Sequence, residues 1–434
     1  MLLQDTPSEA LIQFCWKTLK KEFQLLTSSK GKPVQIIKPG TWNTNQGPDF
    51  LHAHIKIDGI DFHGHVEIHM KGEDWYRHKH HLDPHYNNTV LHIVWTHSQR
   101  PIIREDGTSI PECEIGAMVP TALLHRVDQL RLAKTPIPCA AMIHQVSDFH
   151  KELALTRVCV ERISRKASLL QKRLAETASD WGQVLWEEMA ARIGGTVNGE
   201  AFREIAQRVP FPTWRHYHQN ITDLEALFMG AAGMLPSPPN EDGYVKSLKE
   251  KWIYFHHKHK IDPIPKVAIK LMRMRPASFP TLRISQLAGI LQHYPSLIEL
   301  LLPENWSKFL KLKISASSYW DSHYVFGEKK EHKQKNLGKS QKYTLLINTL
   351  IPLGYLYAAA HNHTDLDSWV EDGLAAIPPE HNRITNVMKD LSFPNKQALH
   401  SQGIIELYKQ HCQEKKCLSC GIGYQILAPA KQTR

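Results

Sequence analysis

Apolar and polar residues alternate strictly from Val66 to Lys71, with Val66, Ile68 and Met70 on one side and Glu67, His69 and Lys71 on the other. A period of two belongs to a strand, and it sets the three polar groups in a row on one face of a sheet. The strand-like stretch begins near Leu51, and Asp58-Gly59 in its middle supplies a hairpin turn. "TVLHIVW", Thr89 to Trp95, is rich in β-branched residues and predicts a buried strand. Ahead of these strands, Thr6-Pro7-Ser8-Glu9 reads as a capping box with Thr6 as N-cap. Leu11, Ile12, Cys15 and Trp16 then recur at helical spacing.

From about Thr121 the pattern becomes helical. "ELALTRVCVERISRKASLLQKRLAET" keeps Leu153, Val158, Ile163 and Leu170 on one side and spreads Arg157, Arg162, Arg165 and Lys166 elsewhere. The expected class is therefore α+β. A mixed-sheet α/β domain with flanking helices covers 1–120, a helical domain 121–310, and a helical C-terminal region with a cysteine knuckle 311–434.

The chain has 434 residues, 42% of them hydrophobic, enough for two or three domains with cores of their own. Its net charge of +10 favours phosphate-rich partners such as nucleic acid. The first residues lack the basic start of a secretory signal, and no apolar run approaches the roughly 18 residues of a membrane span. Seven cysteines at irregular spacing do not suit a disulfide framework, so a reducing cytoplasm is expected.

The hairpin also carries candidate chemistry. Counting outward from Ile57 opposite Ile60 brings Phe50 opposite Glu67, which leaves Asp49 within one residue of Glu67. In strict register Asp49 points to the other face. A bend or bulge at Pro48, or a three-residue turn, would bring the two acids together. Paired carboxylates repel unless a cation or a shared proton relieves them, and magnesium or manganese does so with oxygen ligands. His80, His81, Asp83, His85 and His92 follow downstream, as supporting groups, zinc ligands or hydrogen-bonded structural residues; Asn43 is placed to brace the hairpin.

Two further clusters stand out. Cys412, Cys417 and Cys420 are spaced C-x4-C-x2-C ahead of Gly421 and Gly423. A closed zinc site needs a fourth ligand, from His411, His400, Cys15, Cys113, Cys139 or Cys159, and an iron–sulfur cluster needs four thiolates; three plain reduced thiols are the simpler reading. Arg273, Arg275 and Arg283 surround a Pro- and Ser-containing loop that enters a helix, a candidate phosphate seat. In "KWIYFHHKHK" Trp252 and Phe255 fall at ordinary core spacing, which outweighs the interleaving of aromatics and cations.

Pro48-Asp49 followed by Glu67-Ile68-His69 resembles the PD-(D/E)XK nuclease superfamily, with His69 where that family has lysine and Lys71 two residues along the same face. The resemblance implies that Asp49 and Glu67 bind magnesium or manganese, and that His69 or Lys71 orients the attacking water. Some nucleases related to the RecB exonuclease family also carry an iron–sulfur staple. Over nearly its full length the chain resembles an uncharacterised bacterial family known as a domain of unknown function, through "KPGTWNTNQGPDF", "GHVEIHMKGEDWYRHKHHLDPHYNNTVLHIVW", "RMRPASFPTLRISQLA" and "KKCLSCGIG". The expected function is metal-dependent hydrolysis of phosphodiester bonds in DNA or RNA. Its rivals are a non-catalytic nucleic-acid-binding protein and a structural protein whose metal is a C-terminal zinc.

Overall fold

The computed structural model describes residues 7–18, 23–43, 45–235, 241–272, 274–362 and 366–428; Thr6 and Arg273 lie outside them. Helix α1 (Glu9–Thr18) buries Leu11, Ile12, Phe14, Cys15 and Trp16. The Leu11 and Ile12 amides donate to the Ser8 carbonyl, so the helix is closed at Ser8 and Glu9 is its first residue.

Among the described residues nine strands follow: β1 (Leu25–Thr27), β2 (Pro33–Lys38), β3 (Thr41–Trp42), β4 (Phe50–Ile57), β5 (Ile60–Lys71), β6 (Thr89–Thr96), β7 (Ile102–Ile103), β8 (Ser109–Ile110) and β9 (Glu112–Glu114). The main sheet runs β1-β2-β4-β5-β6-β9, with β3 on β4; β7 and β8 pair separately. It is mixed. The pairings from β1 to β5 are antiparallel, whereas β5–β6 and β6–β9 are parallel. A parallel pair needs a crossover, and here it holds the short helix α2 (Asp74–Arg77) and two tight turns. Buried between two parallel neighbours, β6 is apolar apart from Thr89, His92 and Thr96.

Asp58 and Gly59 both take left-handed backbone angles (φ 54° and 84°) and pair Ile57 with Ile60. The register then shifts between Phe50 and Ala53, where His52 has φ 57°. This bulge sets Phe50 opposite Val66 and not Glu67. It lies at His52, not at Pro48, and it moves Asp49 to the position across from Glu67.

The chain divides into two compact units, Met1–Ala154 with Asn386–Pro394 and Ile404–Arg434, and Leu155–Thr385 with Asn395–Gly403. These bounds differ from the three expected segments. Helix α3 (Thr121–Leu132) joins the sheet unit, Arg126 donating to the Ile426 carbonyl at 3.1 Å, and so do the C-terminal cysteines. The second unit is helical, with Trp186, Trp214, Trp320 and Phe228 in its core and Phe255 buried beside a partly buried Trp252. Its helical stretch Lys339–Ala360 is long and apolar enough to cross a membrane, with a mean hydropathy of 1.3, which the sequence reading did not expect. Leu345, Leu346, Leu350, Ile351 and Leu353 of that stretch are buried in the same core.

Candidate metal centre

Helices α1 and α2 pack against β5 and cover its polar face. Glu67 and His69 are therefore 5% and 1% exposed, while Lys71, at the strand end, is open to solvent. Two charged or polar groups placed under helices need partners, and each has them.

Glu67 and Asp49 are locked reciprocally. The Asp49 amide donates to Glu67 Oε2 at 3.0 Å, and Asp49 Oδ2 accepts from the Ile68 amide at 3.1 Å. Gln13 of α1 donates to Asp49 Oδ1 at 2.9 Å. Burial pushes the Asp49 carboxyl up to about 6, although the hydrogen bonds from Gln13 and Ile68 work the other way. Burial and the nearby Asp49 charge lift Glu67 well above the carboxylate range. Glu9 joins this cluster. Burial, then Asp49 and Asp74, raise its carboxyl to about 7 against the pull of Arg77.

The other oxygen of Glu67 faces histidines. Oε1 lies 3.5 Å from His69 Nε2 and 3.4 Å from His80 Nε2, and His69 Nε2 lies 3.1 Å from His78 Nδ1. The ligand atoms of His69, His78 and His80 all fall within 4.8 Å of one another. Ligands bound 2.0–2.2 Å from one ion at tetrahedral angles stand about 3.3 Å apart; the 3.1 Å from His69 to His78 and the 3.4 Å from His80 to Glu67 are of that size, while Glu67 stands outside the trio's 4.8 Å group. Lys79, between His78 and His80, has φ 63°, and this left-handed residue turns both neighbouring rings toward His69. Tyr86 stacks on His80 at 3.9 Å. Burial, then the neighbouring rings, hold His69 down to about 2 and His80 to about 4, so both are neutral and able to donate a lone pair.

Behind the histidines runs a second line of contacts. His69 Nδ1 meets His92 Nε2 at 2.8 Å, and His92 Nδ1 meets Glu112 Oε2 at 3.0 Å. Glu112 Oε1 takes the His97 ring at 3.0 Å and the Ser98 amide at 2.8 Å. Burial opposes ionisation of Glu112, but the hydrogen bonds from His92 and Ser98 outweigh it and hold the carboxyl below its ordinary value. A carboxylate–histidine–histidine line of this kind fixes which nitrogen of the ligand ring is bare.

Residues 9–383 match the family described as protein of unknown function, DUF2851. The chain belongs to this family. The matched stretch holds every carboxylate and histidine described above and ends before Cys412. Neither a curated protein nor a solved structure matches the chain.

Of the residues singled out in this DUF2851 chain, the fold brings Asp49, Glu67, His69, His80 and His92 together. Lys71 stays at the exposed strand end, its amide donating to Asp74 Oδ2 at 3.1 Å. Asp83 and His85 bind each other at 2.7 Å, His81 packs on Tyr76, and the Asn43 side chain donates to the Pro48 carbonyl at 3.0 Å. Arg275 and Arg283 line one cavity of about 240 Å³ in the helical unit, with Gly194 and Gly195. Arg283 is 8% exposed and donates to Gln286 at 3.0 Å. Sequence reasoning missed His78, Gln13 and Glu112, and preferred a capping role for Glu9 to that of an added carboxylate. His78-x-His80 was the available signal for the first of these.

Proposed function

We propose that this chain is a metal-dependent hydrolase of phosphodiester bonds in DNA or RNA, with the ion held by His69, His78, His80 and Glu67. The gathering of His69, His78 and His80 within 4.8 Å of one another, with Glu67 Oε1 3.5 Å from His69 and 3.4 Å from His80, carries this reading. Carboxylates alone would suit magnesium; three nitrogen donors shift the expected ion toward manganese or zinc. His78 is the exposed member of the trio, so the group opens to solvent on one side, as a catalytic ion requires.

Each residue then has a task. Asp49 fixes Glu67 through its amide, and the line from His69 to Glu112 keeps the His69 ring in place. Glu9, raised to about 7, has the proton affinity of a general base at neutral pH. A bound ion would polarise the phosphoryl oxygen and acidify the attacking water. Three features support nucleic acid as substrate: the +10 charge, the mixed sheet under α1 that the nuclease resemblance implied, and a nearby cavity. That cavity, about 280 Å³, is lined by Gln13, Phe14, Trp42 and Phe50 with Lys17 and Lys415, a mixture suited to a base and its phosphate.

The test compares wild type with Glu67→Gln and His80→Ala on DNA and RNA substrates with manganese or zinc. Metal-dependent cleavage that falls by about a hundredfold or more in both variants is expected. Equal cleavage by all three proteins, or none by wild type with either ion, overturns the reading.

A further inference from the structure

We infer that a cationic cavity in the helical unit binds a small ligand bearing a diphosphate group. Helix α4 (Asp148–Glu176) repeats its cations after seven residues, Arg165-Lys166 and then Lys172-Arg173. Seven residues are about two helical turns, so the four side chains form one stripe. The chain reverses through left-handed Ala178 and Ser179, and Asp180 caps the returning helix α5 (Trp181–Arg208) by accepting from the Gln183 amide at 2.9 Å. Arg192 and Arg203 of α5 line the same cavity, which holds about 610 Å³. Leu169 and Leu170 are its apolar part, and Asn348 reaches it from the helical stretch Leu346–Leu350, which packs on α5. Every lining residue belongs to the helical unit, so the site does not depend on the metal centre.

The carboxylates around the cavity are already engaged. Arg173 donates to Glu176 at 3.0 Å and also to the buried Glu187. Arg203 takes both oxygens of Glu188 and lies 3.4 Å from Glu200. Arg192 feels the charge of Glu188 but does not bind it. Among the described residues Arg192 makes no hydrogen bond or ion pair, and its Nε is shut off from solvent. A guanidinium withdrawn from water without partners is costly. An anion entering the cavity supplies those partners, and phosphate suits the task because two parallel N–H donors of arginine match two of its oxygens.

Charge and size narrow the ligand. Among the described residues six cationic side chains line the cavity against three carboxylates, Glu176, Glu188 and Glu200. The excess is three positive charges, or two if Glu187 is counted beside Arg173. Two phosphate groups carry on the order of three negative charges at neutral pH. Six cations spread around a space of about 610 Å³ cannot all reach one phosphate, and that volume falls in the range of small-ligand sites. Leu169, 58% exposed, offers an apolar seat for whatever the diphosphate is attached to. Glu176 and Glu200 are exposed, and they disfavour a long phosphate chain, which has to leave the cavity past solvent-facing negative charge.

The test is calorimetric titration of the full chain with inorganic pyrophosphate in chelator, so that no metal-held phosphate contributes. Wild type should bind pyrophosphate about tenfold or more tightly than inorganic phosphate. Arg192→Met keeps the length of the side chain and removes its charge. It should weaken binding by about tenfold or more, yet equal or exceed wild type in urea unfolding of the empty protein, because a buried charge without partners is gone. Lys172→Gln, at an exposed position where folding is not at stake, should weaken binding by about threefold or more. Arg157→Met, which removes an exposed arginine of the same helix outside the cavity, should leave it unchanged. Adenosine diphosphate bound more tightly than pyrophosphate assigns the ligand to nucleotides; equal or weaker binding assigns it to the inorganic anion. No binding by wild type, unchanged affinity in folded Arg192→Met or in Lys172→Gln, an equal loss in Arg157→Met, or displacement of pyrophosphate by a single-stranded oligonucleotide overturns the inference.

Discussion

His69 Nδ1 lies 2.8 Å from His92 Nε2, with both rings out of solvent. One proton serves that contact, and Glu112 decides whose it is. An ionised Glu112 requires the His92 proton on Nδ1; His92 Nε2 then accepts, and His69 must donate from Nδ1. His69 Nε2 is left bare toward His78, His80 and Glu67. Glu112→Gln can offer an amide proton to His92 and reverse the whole line, leaving a proton on His69 Nε2. Affinity for manganese or zinc should fall about 10–100-fold with the fold intact, read by calorimetric titration and circular dichroism. Unchanged affinity would remove Glu112 from the centre.

Gly72 gives an independent route to the same group. A Cβ there would meet Glu112 Oε2 at 2.3 Å and the Ser98 amide nitrogen at 2.5 Å. Gly72→Ala should displace the carboxylate, weaken metal binding in the same direction as Glu112→Gln, and cost about 1–3 kcal/mol of stability in urea unfolding. Wild-type values in both measurements would show that the pocket yields at no cost.

Lys79 holds a left-handed conformation between two ligand histidines. Glycine adopts it freely, whereas a β-branched residue strongly resists it. Lys79→Gly should retain metal affinity, and Lys79→Val should lose both affinity and about 1–2 kcal/mol of stability. Equal behaviour of the two variants would mean that the backbone at this point does not aim the rings.

Without added ion, stability should depend on pH in two directions. Burial lifts Glu9 from 4.5 to about 7 and Asp49 from 3.8 to about 6, so the folded acids hold protons that the unfolded chain releases, and stability falls as pH rises through those values. Burial lowers His69 and His80 from 6.5, so the unfolded chain takes up protons that the folded rings refuse, and stability rises with pH up to about 6.5. The two trends oppose each other from about pH 4.5 to about 7.5, so the acids are read by difference: from pH 6.5 to 8 in chelator, wild type should lose on the order of 0.5 kcal/mol in urea unfolding relative to Glu9→Gln, a figure discounted for the partial exposure of Glu9. Manganese should reverse it, more strongly at pH 8 than at 6.5. Parallel curves for wild type and Glu9→Gln in chelator would contradict the raised Glu9 carboxyl.

The hairpin was legible because its information is local. Asp58-Gly59 marks the turn, and period two puts Glu67 and His69 on one face. The register near Asp49 was not legible, because the bulge rests on the backbone angle of His52, which nothing in the neighbouring residues marks. His78 lay beyond a tight turn that no periodicity reaches across. Glu112 was hidden for another reason: its strand has three residues, and only the parallel pairing of β6 with β9 brings it beside His92.

The interleaved make-up of the sheet unit sets an order of events during synthesis. Every group of the histidine and carboxylate cluster, out to Glu112, leaves the ribosome before Leu155, the first residue of the helical unit, has been made. The segment from Ile404 onward, which completes the same unit, arrives after the helical unit's last piece, Asn395–Gly403. At ordinary elongation rates that interval is on the order of tens of seconds. Throughout it, helices α1 and α3 wait for the C-terminal elements that pack on them, which are still untranslated.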